Sequence, residues 1–186
     1  MWYFKNNFVG IAIVVFSVAI ILAHIFSTSN YNWAKHTISH LGAQGYNQKL
    51  IMQLGFIAFG VLLAVGFFIN SFSWRVAPML VYAVCIAGTG IFCAKPFFEV
   101  QYFDTAQANI HSILAQMAGI GFTLSIIIEL YFYTSTHQKW WHIAFLILVV
   151  VCSALFGILK NYQGIAQRLL YLVSFIWLLK FYKPYS

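Results

Sequence analysis

His36 and His40, four residues apart, and Asp104 and His111, seven apart, are the residues whose types and spacing could support chemistry. A histidine pair at i and i+4 on one helix face can chelate zinc, and Asp104 with His111 would complete a tentative four-ligand set of His36, His40, Asp104 and His111. Zinc held that way would activate water toward an ester or amide. The pair lacks the intervening Glu of the His-Glu-x-x-His motif, so hydrogen-bonding histidines at a wet interface are the competing reading. A metal-free hydrolase could instead use Ser39, His40 and Asp104 as nucleophile, base and orienting acid, with His111 as a second candidate base. Gly-x-Ser-x-Gly elbows and phosphate-binding glycine loops do not occur.

A second set of residues points to binding. Gln167 and Arg168 follow Gly164, and a guanidinium at that place could clamp a phosphate or carboxylate through two parallel bonds. Lys95 and Lys160 are further charge partners for a lipid head group. Along 108–133 a polar and small stripe of Asn109, Ser112, Gln116, Gly119 and Thr123 lies nearly opposite His111 on a helical projection, so both cannot face one cavity without rotation. Glu129, the one acid in an apolar run, lies near the end of that run, where snorkelling or pairing with Lys139 or His142 would account for it. Cys85, Cys93 and Cys152 fall in apolar runs and read as buried structural thiols.

The elements that must carry these residues follow from composition. Of 186 residues 62% are hydrophobic and 7% charged, where a soluble domain has roughly a quarter charged. With a mean hydropathy of +0.85, the chain is expected to be an all-α, polytopic membrane bundle forming a single domain. Its apolar runs cover about 8–26, 50–70, 76–94, 108–133, 141–159 and 165–182, each near the roughly 20 residues that cross a bilayer. Trp2, Tyr3, Trp33, Trp74, Trp140 and Tyr185 sit near run ends, at head-group level. The net charge of +7 is scattered rather than clustered, which argues against nucleic acid as a partner.

Six spans put both termini on one side. That side carries Lys5, Arg75, Lys139, Lys180 and Lys183, and the other Lys35, Lys49, Lys95, Lys160 and Arg168, so the positive-inside rule is balanced. Cytoplasmic termini in the cytoplasmic membrane are expected on the habit of short N-terminal tails alone. The termini side has the plain connections, 71–75 and 134–140, whereas the opposite side has the long ones and gathers His36, His40, Asp104 and His111. In the first of these, Asn32 to Gly42 is expected to form a short interfacial helix with Trp33, Ala34, Ile38 and Leu41 on its apolar face and His36, Ser39 and His40 on the other.

Tyr31 to Gly42 with its His36–Ala43 core, the Asp104 and His111 region, and Gly164–Leu169 together resemble a bacterial and archaeal six-helix membrane family, domain of unknown function 998. Members typically read Ser-Glu-Leu-Gly or Ser-Asp-Leu-Gly where this chain has Ser39-His40-Leu41-Gly42, and Lys95–Phe98 is a loose match to a family turn. The resemblance implies a six-helix fold and a site at this end, and brings no activity with it. The expected role is binding of a lipid head group or small anionic amphiphile in a polar cup. A zinc-dependent membrane hydrolase and an accessory subunit of a larger membrane assembly are the alternatives.

Overall fold

Helices satisfy their own backbone N–H and C=O groups without water, which is why apolar runs in lipid take this form. The computed structural model describes residues 7–69, 73–132 and 135–182. Readings that involve Trp2, Tyr3, Lys5, Ser71, Phe72, Thr134, Lys183 and Tyr185 lie outside the described residues. Within them six long helices form and no strand: α1 (Asn7–Ile25), α2 (Lys49–Ile69), α3 (Ala77–Ile91), α4 (Thr105–Phe132), α5 (Thr136–Ile158) and α6 (Gln163–Lys180). Each coincides with one expected run. α5 starts earlier than expected, drawing Thr136–Lys139 out of the connection and into its first turn.

Helices adjacent in sequence are adjacent in space. α1–α2, α2–α3 and α3–α4 share broad interfaces, α4–α5 a narrow one, and α6 packs on α5 and returns to touch α1. In lipid no hydrophobic force holds helices together, so close van der Waals fit must do it. α1 accordingly buries Ala12, Ala19 and Ala23 while presenting Val14, Val18, Ile21 and Ile25 outward. α2 and α3 come close at Gly60, where a Cβ would stand 2.6 Å from the Ala87 nitrogen. Gly119, by contrast, has nothing within 4 Å of its Cβ position and is not a packing glycine.

Five helical segments are long and apolar enough to cross a membrane: Phe8–Ile25, Lys49–Ile69, Trp74–Ile91, Thr105–Phe132 and Thr136–Ile158. The chain is a multi-pass membrane protein. α6, with 18 residues, is diluted by Gln163, Gln167, Arg168 and Lys180 and falls short of the expected sixth span on composition.

The connections α1–α2, α3–α4 and α5–α6 meet at one end. Gln44 joins the two long ones, donating from its side-chain nitrogen to the Asp104 carbonyl (2.8 Å) and accepting the Asp104 N–H (2.7 Å). Phe97 fills the space between them, 4.3 Å from His36 and 5.6 Å from Tyr46 by ring centroid. The expected helix over 32–42 does not form; its one helical piece is a 3-10 turn at Ser39–Gly42. Asn32 caps a first turn, closed by the His36 N–H on the Asn32 carbonyl (2.7 Å), but the Thr37 N–H that would extend it is taken by a side chain. The His36 Nδ1 accepts the Asn32 N–H (3.0 Å), the His40 Nδ1 accepts the Thr37 N–H (3.0 Å), and the Asn32 side chain accepts the N–H groups of Ala34 and Lys35. Ile38 and Leu41 are buried as expected, but Trp33 is exposed.

At the other end Arg75 reaches Glu129 (3.3 and 3.4 Å), and its guanidinium lies 4.6 Å from the Phe132 ring centroid. Arg75 replaces the expected Lys139 or His142 as the cation that pairs with Glu129. Between the two ends runs an aromatic layer, Phe16–Phe59 (4.8 Å), Phe59–Tyr82 (6.2 Å), Tyr82–Phe122 (5.3 Å) and Phe122–Trp177 (5.2 Å), crossing from α1 to α6.

Candidate functional site

The loop end is organised from α6. Gly164 lets the start of that helix press against the loop, since a Cβ there would lie against the carbonyl oxygens of Trp33, Ala34 and His36. The Ile165 N–H, a donor with no partner inside its own helix, bonds the Ala34 carbonyl at 3.2 Å. One turn on, Arg168 donates through Nη1 to the carbonyls of Trp33 (2.9 Å), His36 (3.2 Å) and Gly164 (2.7 Å), and through Nη2 to the Tyr31 hydroxyl (2.6 Å). Its Nη2 also meets the His24 Nε2 at 2.8 Å, a nitrogen left as an acceptor because the His24 Nδ1 faces the Ile20 carbonyl. The Tyr31 hydroxyl donates onward to the His36 and Thr37 carbonyls. Burial raises the Tyr31 pKa, with Arg168 opposing, so Tyr31 stays a neutral donor.

Arg168 therefore reaches the 31–42 segment as expected and does a different job there. The terminal nitrogens of its guanidinium, which has five donors and no acceptor, are committed to the protein's own oxygens and nitrogen, and Arg168 clamps a loop rather than a ligand. Gln167 helps: its Oε1 accepts the Ile38 N–H (2.6 Å) and its Nε2 donates to the Ser39 Oγ (3.4 Å).

Beside this clamp lies a cavity of about 830 Å³. Thr37, Ser39, His40, Lys95, His111 and Gln167 line its loop end, and Phe56, Tyr82, Ile86, Phe122, Val149 and Tyr171 line its depth. On α6 it runs from Gln163 to Ser174, roughly 16 Å at 1.5 Å per residue. Ser112, Gln116, Gly119 and Thr123 also line it. All of the polar stripe of α4 but Asn109 thus faces the same cavity as His111, because the space wraps around α4 toward the narrow α4–α5 interface. Lys95 is the only cation among the lining residues, which include no acid; its Nζ stands 5.7 Å from the Phe103 ring centroid.

The remaining expected site residues are placed apart. Asp104 is exposed and caps α4, its Oδ1 accepting the Gln107 N–H at 3.0 Å. Asp-x-x-Gln ahead of an apolar run is a helix-start signal that accounts for it. Lys160 is exposed in the 3-10 turn Lys160–Tyr162, outside the cavity. His36 stands 5.7 Å from His40 by ring centroid, edge to face, but does not line the cavity.

Among the described residues no three His, Cys, Asp or Glu side chains converge to hold a metal ion. Neutral imidazole has a single lone pair, and both His36 and His40 direct it at a backbone N–H, which puts the proton on Nε2. Desolvation lowers the pKa of His36, with Lys35 adding to it. Desolvation, then His36 and His111, lowers that of His40 to about 4. Both are neutral donors near pH 7. The Ser39, His40 and Asp104 set is not assembled either, since Asp104 is committed to its helix cap. Gln44, Phe97 and Tyr82 were not singled out from the sequence: an amide bridging two loops and aromatics at a cavity wall carry no short-range signature.

No characterised protein and no solved structure matches the chain. A family model, described as protein of unknown function DUF998, matches residues 11–181. Those residues take in all six helices but for the first turn of α1, with the clamp and the cavity between them, and the chain belongs to this family.

Proposed function

We propose that the protein binds one anionic membrane amphiphile, head at the loop end of the cavity and tail in its depth. The observation that carries this reading is the cavity's polarity gradient: hydroxyls, amides, imidazoles and one ammonium at the mouth, aromatic and aliphatic side chains below. Lys95 supplies the contacting charge. Arg168 and Lys160 do not touch the head group; Arg168 holds the mouth in shape and adds its charge from behind. The narrow α4–α5 interface beside Gly119 and Thr123 gives lipid a lateral way in.

In this reading α6 is the sixth crossing. Its polar first turns are covered by the 31–42 loop instead of by lipid, which removes the cost of placing Gln167 and Arg168 at the membrane boundary. Six crossings put both termini on one side, the cytoplasmic one, and the loop end on the other face of the cytoplasmic membrane. Binding is favoured over hydrolysis because Asp104 caps a helix, the His36 and His40 lone pairs are taken, and the His111 Nδ1 faces two backbone carbonyls instead of an orienting acid. No particular observation favours an accessory-subunit role.

Native mass spectrometry of the full chain released from detergent tests the reading. One lipid per chain is expected on the wild type, and loss of it in Gly119→Leu, where the new side chain enters open cavity and leaves the helix packing alone. Equal lipid retention by a Gly119→Leu variant with unchanged melting temperature would overturn it.

A further inference from the structure

Two histidines face the mouth of the cavity with the same ring atom, Nε2, available in opposite roles. The His40 Nδ1 accepts the Thr37 N–H, so Nε2 bears the proton and is a donor. The His111 Nδ1 lies 3.1 Å from the Thr89 carbonyl and 2.8 Å from that of Phe92, so it must carry the proton, and Nε2 is a lone pair. Neither Nε2 has a partner among the described residues, and neither is sealed from the cavity. Because protein groups hold both Nδ1 atoms, neither ring can change tautomer to suit a ligand. Ser39 adds a donor: its Oγ already accepts from Gln167, which leaves its hydroxyl proton for the cavity.

A ligand that meets this mouth must accept hydrogen bonds at one point and donate one at another. A phosphodiester supplies acceptors and, being deprotonated at neutral pH, has no proton for His111. The donor must therefore be a second group. An ammonium is disfavoured, since the lining residues include Lys95 and no acid, with the Arg168 cation close behind. A hydroxyl remains. Resting on the amphiphile reading above, we infer that the head group is a phosphate ester bearing a free hydroxyl, with His40, Ser39 and Lys95 on the anion and His111 reading the hydroxyl.

The test compares phosphatidylglycerol with phosphatidylmethanol of the same acyl chains, two diesters of equal charge of which only the first has a head-group hydroxyl. Affinities are measured by native mass spectrometry on the full chain in detergent. A single hydrogen bond to a neutral partner predicts a preference of about fivefold for phosphatidylglycerol in the wild type. In His111→Asn the side-chain amide can still donate to the Thr89 and Phe92 carbonyls but offers no acceptor at the Nε2 position, and the preference falls to near one. His40→Asn, which keeps an acceptor for the Thr37 N–H, weakens both lipids alike. Equal wild-type affinities, or a preference that survives His111→Asn, would overturn the inference while leaving the amphiphile reading standing. Binding of neither lipid would overturn both. Glycerol 3-phosphate binding as tightly as phosphatidylglycerol would keep the head-group assignment and remove the role of the tail.

Discussion

The two arginines tied to this fold solve the same problem in opposite ways. Arg75, beside α3, meets a fully buried carboxylate, Glu129, which offsets its charge. Arg168, at the start of α6, meets three carbonyls, a phenol and an imidazole, all neutral. Among the described residues no carboxylate pairs with it. The first charge thus has a countercharge in contact, while the second holds a loop together and stays uncompensated next to a cavity. An ion pair fixes two residues; a guanidinium on neutral acceptors fixes a whole segment and keeps its field.

The largest effect should come from Arg168→Met. Removing the donor shared by the Trp33 carbonyl, the Tyr31 hydroxyl and the His24 nitrogen, and leaving the His36 carbonyl to Tyr31 alone, is expected to cost on the order of 5 kcal/mol, read as a fall in melting temperature in detergent. A change no larger than that of a surface substitution would show that the loop holds itself. Glu129→Gln should cost about 3–4 kcal/mol by leaving Arg75 without its countercharge, and Arg75→Met added to it should recover much of the loss. Recovery there, with no single second change able to rescue Arg168→Met, is what separates a pair from a clamp.

Acidification should act on the loop end. His40 titrates near pH 4 in the fold against about 6.5 unfolded. The unfolded chain therefore binds the extra proton first, and stability present above pH 6.5 is lost as pH falls toward 4, by about 3 kcal/mol. Melting from pH 7 to pH 4 should show the loss in wild type and a smaller one in His40→Asn; parallel curves would mean that His40 is not held neutral. The smallest effect is reserved for Gly119→Ala, a gain of about 0.5–1 kcal/mol from the lower backbone entropy of Ala in a helix, because its methyl enters empty space. A large loss there would mean that α4 and α5 close more tightly than the cavity allows.

Much of the fold could be read from hydropathy, because lipid asks for little beyond apolar length. Six runs became six helices, and the end with the long connections became the end with the cavity. What could not be read was partnership. Glu129 finds Arg75, 54 positions away, across a helix interface that periodicity does not see. Arg168 is a strong binding signal by type, yet only the positions of Trp33 and His36, more than 130 residues earlier, decide that its donors are already used. The 32–42 helix stopped after one capped turn because the Thr37 N–H that would extend it goes to the His40 Nδ1 and the Trp33 carbonyl it would have met is held by Arg168, neither of which a face-by-face projection sees. His111 was placed opposite the α4 stripe correctly as an angle, but the cavity is wide enough to include both.

The Arg168 clamp also imposes an order of assembly. The segment it organises leaves the ribosome early, and the guanidinium it depends on is made more than 130 residues later, several seconds to half a minute at roughly 5–20 residues per second. During that interval Trp33, Ala34 and His36 have no partner for their carbonyls from α6, and the mouth of the cavity does not exist. A nascent chain that lacks α6 therefore has no formed mouth, and the loop end is completed in one step when that helix docks.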